Sequence, residues 1–161
     1  MAIEPQTGKR LAQVLAHRTK QDYAQFMQAL AARYPKAQKI RLVQDNLNTQ
    51  DVSAFYETFP AEQAFALAQR FEFYYTPKKA SWLNMIEIEF SALSRQCLAR
   101  RIATKDQLEQ EVRILVKERE AQGVTIDWQF SIAKARQKLH RHYQQLTVEP
   151  LQPQETSVPL Y

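Results

Sequence analysis

Asp45 and Glu87 are the two residues of this chain whose placement could hold a divalent metal. Asp45 follows the apolar residues Ile40, Leu42 and Val43 and precedes Asn46 and Asn48. It therefore stands at the carboxyl end of a predicted strand, where open α/β sheets gather function. Asp and Asn are also favoured at strand exits for local backbone bonds alone, so this position leaves both readings open. Glu87 lies in the first turns of a predicted helix, behind Thr76-Pro77-Lys78-Lys79-Ala80-Ser81-Trp82-Leu83-Asn84-Met85-Ile86. Trp82, Asn84 and Phe90 flank it and predict a carboxylate hemmed in by apolar groups, a cost that a bound cation offsets. The helix macrodipole equally favours a plain solvated glutamate there. Together the two acids make a hard-oxygen site that selects Mg²⁺ or Mn²⁺ over softer metals. Such ions serve in-line phosphoryl displacement.

Lys78 and Lys79 precede Glu87 by about two helical turns and would bring a phosphate backbone over the acids, or form a solvated turn. Lys134, Lys138 and Arg141 share one face of a predicted helix, with Ile132, Leu139 and Tyr143 on another. That face suits either nucleic-acid tracking or plain exposure. The net charge of +5 leans towards a polyanionic partner.

Several other chemistries are excluded. Gly8 and Gly123 are the only glycines, so there is no glycine-rich phosphate loop. Cys97 is the only cysteine, which rules out an internal disulfide and a multi-cysteine zinc site. His17, His140 and His142 have no metal-ligand grouping, and no serine has defensible triad partners. No apolar run approaches the roughly 20 residues of a membrane span, and the first residues do not read as a signal peptide. A cytoplasmic setting is expected.

The elements that must position these residues follow from local signals. Gly8 marks a turn after Ile3-Glu4-Pro5, and residues 10–16 read as a strand. Thr19 and Asp22 form a capping box for a helix carrying Tyr23, Phe26, Met27, Leu30 and Tyr34, stopped by Pro35. Residues 39–44 form a strand, 51–58 and 60–70 two short helices with Pro60 at the first helical position, and 71–75 a second strand. A helix starting at Thr76 or Ser81 buries Ile86, Phe90, Leu93 and Cys97. Thr104 caps the next, which Gly123 ends. Ser131 caps a last helix to about residue 146. Residues 147–161, with Pro150, Pro153 and Pro159, read as a flexible tail beside a domain over 1–146. Strand–helix–strand order implies an α/β fold with a parallel core.

Five blocks in order carry a family resemblance. They are Arg18-Thr19-Lys20-Gln21-Asp22-Tyr23-Ala24, Leu42-Val43-Gln44-Asp45-Asn46-Leu47-Asn48-Thr49, residues 76–91, Asp127-Trp128-Gln129-Phe130 and Ala135-Arg136-Gln137-Lys138-Leu139. This combination resembles the DDE transposases of bacterial insertion sequences related to mariner, over roughly residues 3 to 143. The resemblance implies a ribonuclease-H-like mixed sheet with flanking helices, and Mg²⁺-dependent cleavage and transfer of DNA at transposon ends. By motif position Asp45 is similar to the second aspartate of the family's triad and Glu87 to its final glutamate, with Asn46, Asn48, Trp82 and Asn84 in support.

Three departures accompany it. Gln50 stands where the family often has histidine, and Met85 where it commonly has proline. The family's first aspartate, on the first strand of the fold, has no counterpart; Asp22 is a helix-cap residue. The expectation is thus a catalytic domain lacking the fold's first strand, binding metal weakly and inactive alone. It would be a decayed copy, one half of a split transposase acting with its front half or as a homo-oligomer, or a non-catalytic DNA-binding or oligomerising fragment that modulates a full-length enzyme. Without that strand, residues 10–16 are expected to pair directly with residues 39–44. Exposed edges would then make folding partner-dependent.

Overall fold

The computed structural model describes residues 1–45, 50–77, 83–134, 136 and 137. They divide into two units, Met1–Asp127 and one that begins at Trp128. In the first unit the chain opens as a hairpin. β1 (Ala2–Ile3) pairs antiparallel with β2 (Arg10–Leu11), with Ala2 opposite Leu11 and Ile3 opposite Arg10. Gly8 turns the hairpin at φ +74°, a conformation that side chains with a Cβ rarely adopt.

α1 (Lys20–Arg33) starts at the expected box: Thr19 Oγ1 accepts from Asp22 N–H, and Asp22 Oδ2 accepts from Thr19 N–H. β3 (Ile40–Gln44) and β4 (Phe71–Tyr75) are parallel, with Ile40 opposite Phe71 and Gln44 opposite Tyr75. Parallel strands need a long crossover, here holding α2 (Ser53–Thr58) and α3 (Ala61–Gln69). Pro60, expected as the first residue of α3, stands one position before it, and its carbonyl accepts from Ala64 N–H at 2.9 Å. The core joins Ala24, Met27, Leu30 and Ala31 of α1 to Phe55, Leu67 and Phe71. Phe55 is fully buried, stacked on Tyr23 at 6.0 Å between ring centroids and 6.4 Å from both Phe71 and Phe73.

The pairing expected between residues 10–16 and 39–44 does not form. The strand stops at Leu11, and the described residues hold two separate two-stranded sheets, β1 with β2 and β3 with β4. The Gly8 turn sets residues 10 and 11 beside residues 2 and 3, so the shorter loop closes first.

α4 (Ile86–Gln96) begins later than Thr76 or Ser81, with Asn84 Oδ1 accepting from Ile86 N–H at 3.3 Å. Its buried residues are Glu89 and Ala92. Cys97 just beyond is buried as expected, whereas Phe90 is 41% exposed. The stripe is turned because arginines from outside the helix approach Glu89.

α5 (Lys105–Ala121) is capped by Thr104, whose Oγ1 accepts from Gln107 N–H. It closes on Gly123 at φ +62°, with Val124 N–H bonded to Arg119 O and Gly123 N–H to Glu120 O. That pair of bonds satisfies the last carbonyls of the helix. In the second unit Ser131 Oγ accepts from Lys134 N–H at the start of a helical segment, as its capping role predicts. The expected tail, 147–161, and the helix beyond 137 lie outside the described residues.

Candidate active site

β3 delivers Asp45 to its carboxyl end, half-buried. Gln44 O accepts from Thr76 N–H at 3.0 Å, which extends the β3–β4 ladder by one rung and brings Thr76 alongside Asp45. The Thr76 hydroxyl then donates to Asp45 Oδ1 at 3.0 Å, and the Asn84 amide donates to the same oxygen at 3.3 Å. Thr76 and Asn84 are both buried. Asp45 Oδ2 has no bond among the described residues. One carboxylate oxygen is thus held by two neutral donors, which fixes the orientation of the other.

Asn84 links this acid to the second. Its side-chain oxygen accepts from Ile86 N–H, and its backbone carbonyl accepts from Glu87 N–H at 3.1 Å. The same residue therefore grips Asp45 and starts the helix whose first turn carries Glu87. Glu87 is exposed. That corrects the expectation of a carboxylate enclosed by apolar groups: the inward face of α4 is taken by Glu89, two residues on.

Residues 1–109 match the family described as DDE superfamily endonuclease, about two thirds of the chain. The chain belongs to the DDE superfamily of endonucleases. No curated protein and no solved structure matches it. The mixed α/β architecture is consistent with a nuclease domain of this superfamily, whose substrate is DNA and whose members generally use divalent metals. The matched span holds Asp45, Thr76, Asn84 and Glu87, so the whole Asp45–Asn84–Glu87 linkage lies inside the DDE region.

The donor chemistry of that linkage suits a hard cation, since both acids offer oxygen and one is already oriented. Among the described residues no group of three or more His, Cys, Asp and Glu could hold a metal ion. Asp22 lines the same cavity as Asp45, but the Thr19 cap engages its carboxylate. Asn46, Asn48, Lys78, Lys79, Trp82, Lys138 and Arg141 lie outside the described residues. Lys134 is exposed in the second unit, its ammonium donating to Gln129 O at 3.1 Å. No helix among the described residues is long and apolar enough to cross a membrane.

Sequence reasoning passed over Glu89. It is 1% exposed and accepts from two arginines at once. Arg10 Nε and Nη2 donate to its two oxygens at 2.7 and 2.9 Å, and Arg119 Nε and Nη2 do so at 3.2 and 2.9 Å. Burial alone would raise the Glu89 carboxyl, but the hydrogen bonds and charges of Arg10 and Arg119 hold its pKa below the ordinary value. Arg10 is itself buried, and its guanidinium also donates to the carbonyls of Gly8 and Val124. The cluster ties the hairpin, α4 and α5 together and so fixes the helix that presents Glu87. The available signal was an arginine, Arg10, opening a strand beside apolar residues.

Proposed function

We propose that this DDE-superfamily domain is part of the catalytic domain of a transposase related to the mariner-like bacterial insertion-sequence group, acting on DNA at transposon ends with Mg²⁺ or Mn²⁺. The ribonuclease-H-like identity of its fold is part of that reading. Asp45 and Glu87 would hold the metal, with Thr76 and Asn84 orienting Asp45. The observation that carries this is the Asn84 side chain, which bonds Asp45 at a strand end and also starts the helix bearing Glu87. When bound, the cation supplies the Lewis acidity for in-line phosphoryl displacement.

Two carboxylates make an incomplete site. We infer that a third carboxylate from outside these 161 residues completes it, whether from the same polypeptide, the other half of a split transposase or a further copy in an oligomer, and that these residues alone transfer strands poorly or not at all. Lys78, Lys79, Lys134, Lys138 and Arg141 are proposed to contact the DNA backbone.

The metal assignment is tested by thermal melts with and without Mg²⁺ or Mn²⁺, because a ligand that binds only the folded state raises Tm. A rise that disappears in both Asp45→Ala and Glu87→Ala supports the site; a rise retained in both variants removes it. The inference of incompleteness is tested separately. Robust Mg²⁺-dependent cleavage of transposon-end DNA by the purified chain would overturn it.

A further inference from the structure

Gln44 and Asp45 are successive residues at the carboxyl end of β3, so their side chains leave the sheet on opposite sides. Asp45 meets Thr76 and Asn84. Gln44 meets a different set. It is 7% exposed, its side-chain oxygen accepts from the Tyr23 hydroxyl at 2.9 Å, and its amide nitrogen donates to Gln50 O at 2.8 Å. The direction of both bonds is forced. A backbone carbonyl only accepts, so the NH₂ end must face Gln50, and the oxygen that remains requires Tyr23 to donate. Tyr23 is held in turn by its ring, which stacks on the fully buried Phe55. Burial pushes the Tyr23 phenol well above its ordinary range, so the hydroxyl stays a donor.

This bridge fixes the chain on both sides of Asp45. Upstream, Gln44 O accepts from Thr76 N–H. Downstream, the Gln44 amide holds the carbonyl of Gln50, and the adjacent Asp51 accepts from Ser53 N–H at 2.6 Å where α2 opens. Gln44 thus joins α1, β3 and the entry to α2. Thr76 and Asn84 orient the Asp45 carboxylate only while the backbone beneath it stays in place. A packing role alone would need neither an amide at position 44 nor a hydroxyl at position 23, since burying polar groups gains nothing over an apolar pair of the same shape.

We propose that Tyr23 and Gln44 are positioning residues of the metal site, holding the chain on either side of Asp45 so that its carboxylate is set before a cation arrives. The proposal rests on the metal reading above and adds to it two residues that touch neither metal nor substrate.

In the test the full chain is titrated with Mn²⁺, and free Mn²⁺ is read by electron paramagnetic resonance. Tyr23→Phe keeps the ring stack and removes only the hydroxyl. Gln44→Met keeps the volume and removes both bonds. Each is expected to weaken Mn²⁺ binding about tenfold, a usual loss when the support behind a metal ligand is removed. The double variant should lose no more than Gln44→Met alone, because both changes break one bridge. Gly123→Ala, which lowers stability at the exit of α5, should bind Mn²⁺ as the unaltered chain does, so general loosening of the fold does not imitate the effect. Binding by Tyr23→Phe within about twofold of the unaltered chain overturns the proposal, as does an equal loss in Gly123→Ala. Tyr23→Phe carries the test by itself if Gln44→Met does not fold. Failure of the metal reading shows separately: no binding by the unaltered chain, or binding that survives in both Asp45→Ala and Glu87→Ala, removes the site and this proposal with it.

Discussion

At the scale of single residues, the charges that hold the fold and those proposed to do chemistry sit two positions apart on one helix. Glu89 is buried against Arg10 and Arg119, while Glu87 in the preceding half-turn is exposed. Removing the acid strands a buried guanidinium. Glu89→Ala is therefore expected to cost about 3–5 kcal/mol, the usual penalty for breaking a buried pair from one side, measured by urea denaturation at neutral pH. Glu87→Ala, with no buried partner to strand, should change stability by less than about 0.5 kcal/mol in the same assay. The pH dependence has a definite sign. The folded Glu89 carboxyl titrates below its ordinary value of 4.5, so its contribution is fully present above that pH and is lost as pH falls through the lowered value. The urea midpoint should drop steeply below pH 4.5, and Glu89→Gln should remove that part of the slope. The places of Asp45 and Glu87 could be read from the sequence because their signals are local, an acid at a strand exit and an acid in a first helical turn. Glu89 could not, because its partners lie 79 and 30 positions away and make sense of it only once folded.

Among the elements, most with local punctuation matched expectation, the start of α4 at Ile86 being the exception, and those placed by distant contacts did not. The Thr19 box, the Pro35 stop after α1, the two strands around the crossover and the Thr104 and Gly123 boundaries of α5 are all written within a few residues. The buried face of α4 depends on Arg10 and Arg119, and the partner of β2 depends on how tightly Gly8 turns. The two glycines separate local from distant demands. At Gly123 an added Cβ meets nothing within 4 Å, so Gly123→Ala carries only the cost of a left-handed backbone, about 1–2 kcal/mol. At Gly8 the backbone is also left-handed, and the Cβ would come within 2.5 Å of Val124 O, the carbonyl that accepts from Arg10. Gly8→Ala should therefore lower Tm distinctly more than Gly123→Ala. Equal shifts would mean that the hairpin does not pack on the exit of α5. Thr19→Ala, which removes the cap of α1, should cost about 1 kcal/mol.

For the whole molecule, the division at Asp127 separates the buried core from a short basic segment. Every buried hydrophobic residue among those described lies at or before Leu115. The remainder, from Trp128 on, carries Lys134, Arg136, Lys138 and Arg141 against Glu149 and Glu155. A chain ending at Asp127 keeps the Ile126 N–H to Pro5 O bond and the Arg10–Glu89–Arg119 cluster. It is expected to melt as one cooperative transition within a few degrees of the full chain. DNA affinity is expected to respond quite differently. Phosphate contacts release counterions, so log K falls linearly with log salt concentration, by about 0.9 for each phosphate neutralised on duplex DNA. If the basic residues beyond Asp127 track the backbone, truncation should leave Tm nearly unchanged and make the salt slope shallower by about 1 for each phosphate no longer neutralised. Gel shifts at a series of salt concentrations read that slope directly. An identical slope for the two chains would place the DNA-binding lysines in the first unit instead, where Lys78 and Lys79 precede Glu87 in sequence, and would remove Lys134, Lys138 and Arg141 from the proposed interface.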